Sequence, residues 1–299
     1  MNFKRFVFWA FLAVSAPLMA DNYQVQADAL RTPVNANIIA PSGVAVNSRG
    51  EVVVTSRGTY KVMVFDASGN FLRGFGQDVI KAPHGLRVDG DDNVWITDIE
   101  QHLVLKLSPE GRLLMVLGQQ NNQGTYDEIR KMALFYKPAD VAFGLNGDIY
   151  VADGYGNSRV VQFSEAGDFI RDWGEAGNAP NQFNNPHNLV VADNGKVFVA
   201  DRHNKRIQIF NDKGQLINSW AHLGTPWGLA ADKNKLYMTD GNSEQVLIIY
   251  FDGKVVNSFG VVGQLPGRLR AVHGIAVDND ENIWVTEVLN WRVQKFVKP

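Results

Sequence analysis

One unit recurs six times along this chain, and that repetition restricts the fold more than any other property of the sequence. The units begin "APSGVAVNSRGEVVVTS" near Pro41, "APHGLRVDGDDNVWITD" near Pro83, "KPADVAFGLNGDIYVAD" near Pro138, "NPHNLVVADNGKVFVAD" near Pro186, "TPWGLAADKNKLYMTD" near Pro226 and "AVHGIAVDNDENIWVTE" near Val272. The steps between those positions are 42, 55, 48, 40 and 46 residues. Each unit continues with a third apolar run, such as "RVVQF" at 159–163. A fourth run closes on an aromatic residue or glycine, such as "IRDWG" at 170–174. The runs are short, rich in Val, Ile, Phe and Trp, and parted by Asp-Gly, Asn-Gly and Gly-Asn turns, which is the chemistry of strands and hairpins. Four strands per unit, six times over, predict an all-β fold, a six-bladed β-propeller of four-stranded blades. The sixth unit reaches Pro299 with three runs, so "YQVQA" at 23–27 is expected to supply its fourth strand. One stretch has helical character, "YDEIRKMALFYK" at 126–137, inside the longest gap between units.

What varies within a repeat carries the chemistry. The slot after the unit's proline, at the start of each innermost strand, holds Ser42, His84, Ala139, His187, Trp227 and His273 in turn. A lone histidine there is usually a satisfied polar residue. Three on alternate blades, about 120° apart around a central channel, are expected to converge on its axis. Three neutral imidazoles suit a tetrahedral Zn²⁺ with one open position, a catalytic rather than a structural arrangement. Imidazole alone also accepts Fe, Ni or Cu. His102, His203 and His222 fall outside the slot and read as surface residues. Asp98, Asp153, Asp201 and Asp240, with Glu287 in the last unit, recur after the second run and read as scaffold that satisfies backbone amides of the next loop. Three residues break the repeat on the histidine face: Arg57, Tyr155 and Arg202. Singly each reads as a loop residue. Together over an open metal they offer an anion clamp and a phenol able to move a proton.

The chain's beginning differs in kind. Lys4 and Arg5 precede an apolar run from Phe6 to Leu18, which predicts a signal peptide over 1–20, cleavage after Ala20 and a propeller domain over 21–299. The apolar run is shorter than the ~20 residues that span a bilayer. Export to a periplasm or the medium is therefore expected, with no membrane contact after cleavage. The chain has no cysteine, so thiolate ligands and cysteine nucleophiles are excluded and the mature protein rests on its core. A formal net charge of −2 suggests no basic face for nucleic acid. A monomer is expected.

"DGYGNSRVVQFS" and "VADRHNKRIQIF", with "PHGLRVDGDDNVWITD" and "FNNPHNLVV", resemble the peptidyl-α-hydroxyglycine α-amidating lyases, a family of NHL-repeat propellers. The resemblance covers essentially all of residues 21–299. It implies a catalytic zinc on His84, His187 and His273, with Tyr155 and the arginines Arg57 and Arg202 as active-site residues. It also implies cleavage of the C–N bond of a peptidyl-α-hydroxyglycine to an amide and glyoxylate. The substrate so implied is a small molecule or peptide with a terminal carboxylate. The family associates a structural calcium with an acidic residue directly after the third histidine, and Gly274 stands there in this chain, which counts against the calcium. A methionine two residues before that histidine is replaced by Ala271. Two other readings stay open at this point: a metal-dependent lactonase-type hydrolase, and a non-catalytic periplasmic propeller that binds a ligand or protein.

Overall fold

The computed structural model describes residues 23–299, so the predicted signal peptide at 1–20 lies outside the described residues. Six four-stranded antiparallel sheets follow one another, one for each repeat. Blade one runs through strands Val44–Val46, Val52–Thr55, Val62–Phe65 and Phe71–Phe75. Blade two uses Pro83–Val88, Val94–Asp98, Leu103–Leu107 and Leu113–Leu117, and blades three to five start at Asp140–Phe143, Pro186–Val191 and Pro226–Asp232. Blade six has Val272–Val277, Ile283–Glu287 and Arg292–Val297 from the end of the chain. Its outer strand is Gln24–Gln26, paired antiparallel with Gln24 opposite Val297 and Gln26 opposite Lys295. The expected closure of the ring by the N-terminal strand is therefore what forms.

Burial explains the strand composition. A second strand such as Val94–Asp98 is buried along its whole length because neighbouring blades cover both of its faces. The outer strand Leu113–Leu117 shows most of its residues to solvent. Apolar side chains gather into six clusters, each shared between two adjacent blades: Phe198 and Trp220 meet Leu236 and Met238 between blades four and five, and Met63 and Phe65 meet Trp284 between blades one and six. Among the described residues no cluster belongs to one blade alone. Each sheet is thus stabilised by its neighbours, as in other repeat architectures.

The helical expectation at 126–137 fails. The segment forms a narrow ribbon in which Tyr126–Asp127 pairs with Met132–Ala133. Asp127 turns the chain by accepting the N–H groups of Ile129 and Arg130, and Lys131 takes a left-handed φ of 54°, which interrupts any helix. Burial of Ala133, Leu134 and Phe135 decides the outcome, because the ribbon delivers them to the inter-blade core while Ile129 stays in solvent. Arg159 locks it by donating to the carbonyls of Thr125 and Leu134. No helix among the described residues is long and apolar enough to cross a membrane.

Candidate active site

Each histidine of the slot sits where an inner strand enters the channel, and the three rings meet on the axis. The ring centroids of His84, His187 and His273 are 4.9, 4.7 and 4.9 Å apart, nearly an equilateral triangle. One nitrogen from each lies within 4.8 Å of the others, and all three residues are buried.

The backbone fixes which nitrogens face inward. Nδ1 of His84 donates to the carbonyl of Ala139 at 2.7 Å, Nδ1 of His187 to that of Trp227 at 2.7 Å, and Nδ1 of His273 to that of Ser42 at 2.7 Å. Every acceptor is the slot residue of the next blade around the ring. This pattern places the proton on Nδ1 and leaves Nε2 with a lone pair toward the axis. Burial drives the imidazoles toward neutrality. It pulls His84 down to about 4 with help from the charges of Arg57 and Arg202, and holds His187 and His273 well below their ordinary value, where the neighbouring imidazoles reinforce it.

Tyr155 stands over two of these nitrogens. Its hydroxyl is 2.9 Å from Nε2 of His84 and 3.0 Å from Nε2 of His187. One hydroxyl carries one proton and cannot satisfy both lone pairs, while Nε2 of His273 meets no donor among the described residues. Three inward lone pairs facing a single proton make a pocket that a cation completes, so the donor set fits a metal bound by His84, His187 and His273. Burial raises the Tyr155 phenol, against the pull of the Arg202 charge and hydrogen bond and of the Arg57 charge.

The two arginines differ. Arg202 follows Asp201 on the loop of blade four and lies half-buried with its guanidinium carbon 3.6 Å from the centroid of the Trp227 ring. Arg57 is exposed on the rim, anchored through its N–H to the carbonyl of Ile39 at 2.8 Å, and its charge acts on His84, His273 and Tyr155. All six residues singled out in the sequence thus gather at one mouth of the channel.

The recurring acids are scaffold, as expected. Asp98 accepts the N–H groups of Lys81, Ala82, Glu100 and Gln101. Asp201 accepts from Asn184 and pairs with Arg206 at 2.7 Å. Of the other histidines, His203 and His222 are exposed, but His102 is a correction: it is buried, accepts the N–H of Lys137 at Nδ1 and meets the edge of Tyr136. The long segment before blade three, folded back over it, covers it.

Two features were missed in the sequence. Trp227 occupies the same slot as the histidines and walls the site, a role its type alone did not suggest. Arg87 lies three residues beyond His84 on the same inner strand, roughly 10 Å further down the channel at ordinary strand rise. Its Nη2 reaches the Asp140 carboxylate at 2.6 Å, Asn188 Oδ1 at 3.0 Å and the carbonyls of Leu189 and Leu229 at 3.0 and 3.2 Å. The side chain so bars the channel between the histidines and a cavity of about 290 Å³ at the opposite face. The other blades place Ala45, Ala142, Val190, Ala230 and Ala276 at this register, so a charge among small apolar residues was the available signal. Asp140 is fully buried, its Oδ1 has no partner among the described residues, and burial raises it to about 6 despite Arg87.

Comparison with known proteins agrees with this architecture. The NHL repeat family model matches residues 135–163 and 183–210. The chain is 36% identical to peptidyl-alpha-hydroxyglycine alpha-amidating lyase 1 of Drosophila melanogaster over 168 residues, covering 52% of this chain and 30% of that protein. It is 35% identical to peptidyl-glycine alpha-amidating monooxygenase B of Xenopus laevis over 222 residues, covering 63% of this chain and 25% of that protein. It is also 38% identical to NHL repeat-containing protein 3 of Mus musculus over 203 residues, 63% of this chain and 57% of that one. The matched region is therefore a quarter to somewhat over half of these relatives' length. A solved streptogramin B lyase superposes with a TM-score of 0.66 at 16% identity, covering 94% of this chain and 99% of that chain, a likeness of fold alone. The chain is thus a six-bladed propeller with NHL repeats at 135–163 and 183–210, and over part of its length it is similar to the peptidyl-alpha-hydroxyglycine alpha-amidating lyases.

Proposed function

We propose that this protein is an exported, metal-dependent carbon–nitrogen lyase that splits an N-acyl-α-hydroxyglycine into the amide and glyoxylate. The observation that carries the reading is the meeting of three buried Nε2 lone pairs under Tyr155, beside an arginine with no carboxylate partner among the described residues. Zinc on His84, His187 and His273 supplies, when bound, Lewis acidity toward a substrate oxygen. The chain's own groups do the rest. Arg202 and Arg57 hold the substrate carboxylate by charge-assisted hydrogen bonds. Cleavage moves the hydroxyl proton of the substrate to the departing amide nitrogen, and the hydroxyl of Tyr155, beside Nε2 of His84 and His187, is placed to relay it. Arg87 shuts the channel below, so water and products exchange through the mouth alone.

Metal analysis of purified protein, followed by a glyoxylate-release assay on α-hydroxyhippurate, tests this. About one metal per chain and release that stops on chelation are expected. A metal-loaded chain that releases no glyoxylate refutes the lyase. Similarity to NHL repeat-containing protein 3, whose name carries no reaction, favours a second reading as a binding propeller. That reading expects ligand capture without turnover. The signal peptide at 1–20, a periplasmic or secreted destination and a monomeric state belong to the same proposal.

A further inference from the structure

The arginines of the scaffold and the arginine of the mouth are held differently. Arg159, Arg206 and Arg292 each bind the acid of their own blade, Asp153, Asp201 and Glu287. Arg202 has no ion pair among the described residues. It lies on the face of Trp227, with 3.6 Å between guanidinium carbon and ring centroid, and also hydrogen-bonds the Tyr155 side chain. A carboxylate would fix an arginine and cancel its charge in the same act. An aromatic face fixes the plane and leaves the charge available.

The indole is itself built in. Its ring meets His187 at 5.9 Å and His273 at 5.6 Å between centroids, and its backbone carbonyl accepts Nδ1–H of His187. Gly241, at the head of the next loop in blade five, leaves the room: a Cβ there would lie 2.3 Å from both Cε2 and Nε1 of the indole. The other slots without histidine hold the small Ser42 and Ala139, so this ring is not demanded by the repeat. We infer that Trp227 is a positioning residue that holds Arg202 over the three histidines and so sets the preference for substrates with a free carboxylate. This rests on reading the site as one that handles a carboxylate beside a metal.

The test compares α-hydroxyhippurate with its methyl ester on the zinc-loaded protein. Trp227→Leu is expected to lower the acid-to-ester ratio of kcat/KM about tenfold, mainly through KM for the acid, whereas Trp227→Phe retains most of it. Gly241→Ala, which displaces the ring, should resemble Trp227→Leu. Metal content is measured alongside, since the carbonyl that holds His187 survives all three changes. Equal losses on acid and ester, or an unchanged ratio, overturn the inference. Should the wild type turn over neither compound, the lyase reading fails and the inference is read by calorimetry with unreactive hippurate and its methyl ester. The same variants must then lose the acid selectively. A wild type that binds the two alike overturns the inference on its own.

Discussion

The imidazoles and the phenol above them have separable duties. His187→Ala removes one of three donors and should lower bound metal from about one equivalent to near none, with loss of activity, as read by metal analysis after gel filtration. Tyr155→Phe keeps all three donors. It should retain the metal while glyoxylate release falls by about 10²–10⁴, the usual range for a lost proton-transfer group. Deeper in the channel, Asp140 makes a prediction about pH. Its folded value near 6 lies above the ordinary 3.8. The folded state therefore binds the proton more tightly than the unfolded state between those values. The sign follows: this group's contribution to stability is full below about 3.8 and is lost as pH rises through about 6. Asp140→Asn lacks that dependence. The stability gap between wild type and variant, measured by urea melts, should move against the wild type by roughly 2 kcal/mol between pH 4 and pH 7.

Within a blade, the repeated acid after the second strand ties loop to sheet. Asp98 holds four backbone N–H groups and the amide of Gln101 while fully buried. Asp98→Ala should cost about 3 kcal/mol in a denaturant melt, since the buried donors lose a charged acceptor, and should leave metal content unchanged. These acids and the three histidines were legible in the sequence because both recur at fixed places in a strand whose direction the repeat had already set. Trp227 with Arg202 was not legible. Its meaning lies in a contact across two blades, and neither residue's type implies the other. Arg87 was hidden for the same reason, as its acceptors come from blades three, four and five. The 126–137 segment misled because its local pattern suits a helix while the inter-blade core captures Ala133, Leu134 and Phe135 from a ribbon. His102 misled because that same segment folds back over it.

The blades themselves were fully legible, down to the strand borrowed from the other end of the chain. That strand, Gln24–Gln26 against Lys295–Val297, also sets an order of events. It is the first part of the fold to be synthesised, yet its partner is the last. Five blades can form from contacts between near neighbours, but the ring cannot shut until Arg292–Val297 has been made and meets Gln24–Gln26. Joining partners this far apart in sequence is slow, because the closure entropy is spent before the contact is made. Until then blade six exposes the edge of Arg292–Val297, a template for pairing with another chain. The two ends lie as a hairpin would place them. A permuted chain that links Pro299 to Tyr23 through a few glycines and opens instead between Gly76 and Ile80 should fold to the same ring. In stopped-flow refolding it should lose the slowest phase and aggregate less. An unchanged slow phase would show that something other than the meeting of the ends limits assembly. Read in time rather than in space, the seam makes this a protein whose earliest strand waits for its last.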